Sequence, residues 1–311
     1  MIRPLFSASR TLLSVLAWAA TAASAATLDL QPGPRCDVPA LTAPVAPAAA
    51  ADRIPDSQAI GGSRNIAWAW LGSPTPRYGH PALGSDLHGA SLHVRVVQPD
   101  GSQRALALEL PAHRVFEDRT LRLVDLDGDG SDEIIVVESD AKLGSSLVVY
   151  GLRLGAAARQ PVLAQLARGP FIGTSQRWLN PAAVADFDGD GRLDLAAVTT
   201  PHIGGVLTLY RYQPPTLEPV ALMRGVSNHR NGTVEQQLAA IVQTPGRRPA
   251  LLIPADGLRT LRALRLNGAG QWQDQAAPVT LAAPVQRITA LPGGACVLMT
   301  NGAALQVLLR E

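Results

Sequence analysis

Two short stretches concentrate carboxylates at a spacing suited to metal chemistry. DLDGDGSDE (125–133) and DFDGDGRLD (186–194) both follow D-x-D-x-D-G-x-x-D/E. When such a loop curls around a point, its first, third and fifth side chains converge, and the glycine at the sixth place permits the sharp turn. The first loop offers Asp125, Asp127, Asp129, the Ser131 carbonyl and Glu133; the second offers Asp186, Asp188, Asp190, the Arg192 carbonyl and Asp194. Oxygen donors in that number suit Ca²⁺, a hard cation that takes roughly six to eight of them. Carboxylates so close together repel one another unless something neutralises them, and the pattern occurs twice, so two Ca²⁺ sites are expected. An EF-hand is excluded, because it needs a glutamate at the twelfth place and a helix on each side, whereas that place holds Val136 and Ala197 here. A cation held this way fixes a turn, so the expected role is structural, not catalytic.

The elements that must position these loops are short strands. LRLVDLDGDGSDEIIVVES (121–139) and PAAVADFDGDGRLDLAAVT (181–199) share the order strand, acidic loop, strand, with the loops 61 residues apart. Each continues through a glycine-containing turn into SLVVYGLRL or VLTLYRY, then into PVLAQL or EPVALM, which makes four strands per unit. Weaker copies follow at 238–257, continued by LRALRL and QWQDQ, and at 285–309, which stops one strand short. An earlier unit spans 60–110 with IAWAWL, SLHVRVV and ALALEL. No sustained helical period of apolar residues appears after residue 51. A repeated four-stranded unit of this length predicts an all-β fold, a β-propeller of five blades, with seven as the alternative. A strand within Thr27 to Val38 is expected to supply the missing strand and close the ring.

These residues resemble the FG-GAP or VCBS repeat of integrin-α-type propellers, in which a blade holds Ca²⁺ in a loop between its first two strands. The resemblance implies that Asp125, Asp127, Asp129 and Glu133, with Asp186, Asp188, Asp190 and Asp194, are metal ligands. The fourth and fifth units depart from the pattern, with QTPGRR and LPGGAC in place of the acids, and are expected to be metal-free.

The N-terminus predicts export. Arg3 and Arg10 precede an apolar run from Thr11 to Ala22, and Ala23-Ser24-Ala25 forms a small-residue cleavage site. That run is too short to span a bilayer, so residues 1–25 are read as a signal peptide. Residues 26–51 are read as the closing strand and a Pro/Ala-rich segment, and 52–311 as the propeller. Loss of Arg3 and Arg10 leaves 25 basic against 25 acidic residues, which argues against a nucleic-acid or membrane-surface partner. The mature chain is expected to be periplasmic or secreted, with no membrane insertion. Cys36 and Cys296 would enter an oxidising compartment, where they are a natural disulfide pair.

No zinc-binding histidine pair, nucleophile elbow or activated thiol is evident among the six histidines and two cysteines. Polar and aromatic residues do recur at corresponding turns, and Arg119, Arg177, Trp178, His202, Asn228 and His229 are predicted to form a candidate ligand face, since loops on a rigid scaffold carry recognition. The sequence shows no convincing acid–base pair there, so a protein- or glycan-binding module is favoured over a polymer-directed hydrolase or lyase, or a purely structural assembly protein.

Overall fold

The computed structural model describes residues 26–33, 48–155 and 160–310. The expected signal peptide, Cys36 and most of the Pro/Ala-rich segment lie outside the described residues. Within them the chain is all-β, interrupted only by two 3₁₀ turns at Ala48–Asp52 and Pro81–Leu83.

Strand β1 (Thr27–Pro32) stands apart at the N-terminal end. The first antiparallel meander contains β2 (Ile60–Gly61), β3 (Ile66–Thr75), β4 (His88–Val97) and β5 (Gln103–Glu109). A short strand β6 (Arg114–Phe116) pairs with β4 on one side. Its other side pairs with the second meander, made of β7 (Arg122–Val124), β8 (Glu133–Asp140), β9 (Gly144–Leu154) and β10 (Pro161–Arg168). The third is β11 (Leu179–Ala185), β12 (Asp194–Thr199), β13 (Val206–Gln213) and β14 (Thr216–Arg224). The fourth is β15 (Ala240–Val242), β16 (Ala250–Pro254), β17 (Thr260–Leu266) and β18 (Trp272–Asp274), with β19 (Val279–Thr280) also on β17. The last hairpins are β20 (Val285–Leu291), β21 (Gly294–Met299) and β22 (Ala304–Arg310). Strand β1 completes this sheet by pairing along β22, from Thr27 opposite Arg310 to Pro32 opposite Leu305. Pairing through β6, and a single parallel contact between β10 and β14, join the first three meanders, so the sheets count four, thirteen and five strands and none closes on itself.

The apolar runs explain how these units stack. Successive side chains of a strand point to opposite faces, and in β8 this sorts one run into two cores. Ile134 and Val136 pack with the first meander, while Ile135 and Val137 pack with the third. In β9, Val148 and Tyr150 side with the former pair, Leu147 and Val149 with the latter. Strands β12 and β16 divide in the same way between their neighbours. A sheet covered on both faces needs continuous apolar sequence instead of alternation, which is what EIIVV, LAAV and ALLIP provide. Four apolar clusters thus join adjacent units in order, first to second through fourth to fifth. Each fully buried Ile, Leu or Val contributes roughly 1.5–3 kcal/mol by leaving water.

Candidate functional site

Both acidic loops sit where the first strand of a unit turns into its second: 125–133 between β7 and β8, and 186–194 between β11 and β12. Their backbones are wound by the carboxylates themselves. Asp125 accepts from the amides of Gly128 at 2.8 Å and Gly130 at 3.1 Å. Asp186 accepts from Gly189 at 2.7 Å and Gly191 at 3.0 Å. The third and fifth aspartates each accept from the amide two residues on. Gly128, Gly130, Gly189 and Gly191 all have φ between +77° and +88°, a region open to glycine and strained for most other residues. The D-G-D-G spelling is therefore required by the curl of the loop.

The converged carboxylates form two clusters that could hold a metal ion: Asp125, Asp127 and Glu133 in the first loop, and Asp186, Asp188 and Asp190 in the second, each with oxygens within 4.8 Å of one another. Asp129 and Asp194 stand outside these tight triads. The last acid of each loop begins a strand and is buried. Burial, then the neighbouring aspartates, pushes Glu133 up to about 7; burial, then Asp188, does the same for Asp194. One carboxylate oxygen of Asp194 is buried with no partner among the described residues. Arginines approach from outside: Arg64 bonds Asp132 at 2.6 Å, beside the first loop, and Arg211 bonds Asp188 at 2.6 Å, within the second. Ser131 is half-buried and Arg192 exposed.

The six residues predicted as a ligand face lie in neighbouring turns, but four are interior: Arg119, Trp178, Asn228 and His229 are each no more than 2% exposed. The turns of successive units pack against one another instead of opening to solvent. Trp178 stacks on His202 with ring centres 6.0 Å apart and meets His229 edge-on at 4.8 Å. Its indole donates to the Glu117 carbonyl at 2.9 Å. His229 Nε2 faces the Thr233 carbonyl at 2.9 Å and so carries the proton; its Nδ1 then accepts from His202 Nε2 at 2.8 Å. Burial pushes His202 down to about 4, and burial with the His202 charge pushes His229 down to about 3, so both rings are neutral near pH 7. Asn228 exchanges bonds with Asn180, which also bonds Gln236. Gln236 in turn accepts from the Arg119 amide at 3.0 Å. Arg177 remains partly exposed, its guanidinium on the Gln176 carbonyl.

The structure adds an acid–base pair absent from the sequence reading. His80 Nδ1 lies 2.6 Å from Glu117 Oε1. The other Glu117 oxygen accepts from Ser139 and Ser145, and burial pushes this fully enclosed carboxyl upward. Thirty-seven residues separate the partners, and no local motif marks them.

Two cavities lie beside this cluster. One of about 310 Å³ is lined by inner strands of four units, including Val124, Pro181, Ala183, Ala239 and Ala290. The other, about 400 Å³ and polar, is lined by Asp56, Gln58, Arg119, Glu235, Gln236 and Arg287 among others. Arg122 and Gln237 line both.

Fold and site together define an all-β repeat protein with acidic, metal-competent loops between the first two strands of its units. Residues 125–197, spanning both loops, match the model of the FG-GAP-like repeat, so this stretch of the chain is similar to an FG-GAP repeat. No curated protein matches it.

Proposed function

We propose that the protein is an exported, Ca²⁺-stabilised β-propeller of five blades that acts as a binding module for a protein or glycan. The observation that carries this reading is the pair of loops in one register, each bringing three carboxylates together with oxygens within 4.8 Å of one another. Ca²⁺ fits the donor set, which is carboxylate and carbonyl oxygen only. Asp125, Asp127, Asp129, Glu133 and the Ser131 carbonyl would hold one ion; Asp186, Asp188, Asp190, Asp194 and the Arg192 carbonyl the other. The ion supplies charge neutralisation that locks the turn between two inner strands. Four meanders and a last sheet completed by β1, four apolar clusters joining them in order and a cavity lined by four units support the ring. Pairing of β1 with β22 supports its closure.

A Cys36–Cys296 disulfide would reinforce that closure. Cys296 is buried in β21, next to β22, and the described N-terminal segment ends at Gly33, three residues before Cys36. Closing so long a loop is worth about 5–6 kcal/mol in the chain-entropy model. Export follows from the N-terminal pattern of residues 1–25; among the described residues no helix is long and apolar enough to cross a membrane.

The test is thermal unfolding in Ca²⁺ and in chelator, for the wild type and for Asp127→Ala with Asp188→Ala. A Ca²⁺-dependent rise in Tm that the double variant lacks supports structural metal sites; identical melts in every condition remove Ca²⁺ from the account. One observation favours a second reading as a polymer-directed enzyme: the His80–Glu117 pair has the geometry of a general base held by a carboxylate. Release of new chain ends from a polysaccharide mixture by the wild type, and not by His80→Gln, would establish it.

A further inference from the structure

The arginines around the polar cavity are paired, with one exception. Arg122 donates to Asp118 at 2.6 Å and Arg287 donates to Glu235. Arg119 is 2% exposed, and none of its three guanidinium nitrogens meets an acceptor among the described residues. The acids next to it in the chain are already engaged. Glu117 holds His80, Ser139 and Ser145. Asp118 holds Arg122 and the amides of Arg119, Thr120 and Val137. A guanidinium does not give up its proton inside a protein, and a buried charge without a hydrogen-bonded counter-charge is strongly destabilising.

The guanidinium of Arg119 therefore presents donors that the protein leaves unmatched among the described residues, and it lines a cavity large enough for a small molecule.

We propose that Arg119 forms an interior receptor for a small oxyanion, of which a carboxylate is the best match. The two oxygens of a carboxylate fit the guanidinium fork bidentately and bring the negative charge that a water molecule lacks. The alanine-lined cavity sharing Arg122 and Gln237 gives room for an apolar remainder. This rests on the reading of the protein as a binding module and names the chemical class that the module takes.

The test is calorimetric titration of acetate, and separately of sulfate, into the purified Ca²⁺-saturated protein. Saturable binding of acetate is expected, weakened about tenfold or more in Arg119→Lys, which cannot bond bidentately, and lost in Arg119→Met. Sulfate binding with the same dependence, in place of acetate, also supports an oxyanion receptor and assigns it a tetrahedral ligand. An equal response from the wild type and Arg119→Met overturns the proposal and leaves the guanidinium to internal water. If neither variant folds, the wild type decides alone, because no saturable heat with either anion overturns it. Melting in Ca²⁺ and in chelator is run in parallel: a protein that melts alike in both yet binds acetate through Arg119 loses the metal reading and keeps this one.

Discussion

The protein gathers polar groups in two places and by opposite means. In the acidic loops the groups are adjacent in sequence, repeated at a fixed offset and set mostly in solvent; their geometry comes from glycine turns and from carboxylates bonding their own backbone. Around Trp178 the groups come from four separate turns and are buried; their geometry comes from packing of one unit on the next. The loops leave charge uncompensated, which a cation can correct from outside. The interior cluster compensates itself by keeping two histidines neutral and tying Glu117 to three side chains. Local spacing thus builds a cluster that could hold a metal ion, whereas tertiary packing builds one that is largely complete, with Arg119 as its unmatched member among the described residues.

The largest effect that separates the two regions is metal dependence. At Ca²⁺ a hundredfold above Kd, each occupied loop contributes about 2.7 kcal/mol to stability. Unfolding in chelator should reveal that loss, and a chain with Asp127→Ala and Asp188→Ala should show none of it. Trp178→Ala comes next, with a cost of about 3–5 kcal/mol from the lost ring volume in Ca²⁺ and chelator alike; a metal-dependent cost in denaturant titrations would link the two regions and break the comparison.

Acid should act on the interior. The unfolded histidines titrate near 6.5, whereas folded His202 and His229 are pushed down to about 4 and about 3 by burial. The folded chain therefore binds fewer protons than the unfolded one below pH 6.5. This contribution is complete above about pH 6.5 and drains away as pH falls through the folded values, so Tm measured in chelator should drop over that window. The drop should shrink in a chain with His202→Gln and His229→Gln. The smallest effect belongs to Arg64, whose half-exposed ion pair with Asp132 is screened by solvent. Arg64→Gln should shift the chemical-denaturation midpoint slightly and leave metal dependence intact.

The same contrast explains what could be read in advance. Both loops were legible because the carboxylates and amides that wind them lie within nine residues, and the strand rhythm was legible because apolar runs such as EIIVV serve two faces at once. The recurring turns at 117–119, 176–180 and 227–231 also drew notice, yet sequence suggested an exposed face for side chains that the fold encloses. Burial of Arg119 and Asn228 depends on which turns meet above them, a property of stacked units and not of any one unit. The His80–Glu117 bond was invisible for the same reason, since its partners come from different connections between strands. Strand β6 escaped notice because three residues carry no measurable period.

Pairing of β1 with β22 sets an order of events for assembly. The last sheet takes one strand from near residue 30 and three from beyond residue 284, so a chain emerging in sequence order cannot finish it until almost everything else has been delivered. Until then β1 is an unpaired ribbon and the edge of β22 does not exist. The closing step is therefore a late checkpoint on chain length: any product truncated before β22 retains its acidic loops but has nothing to latch.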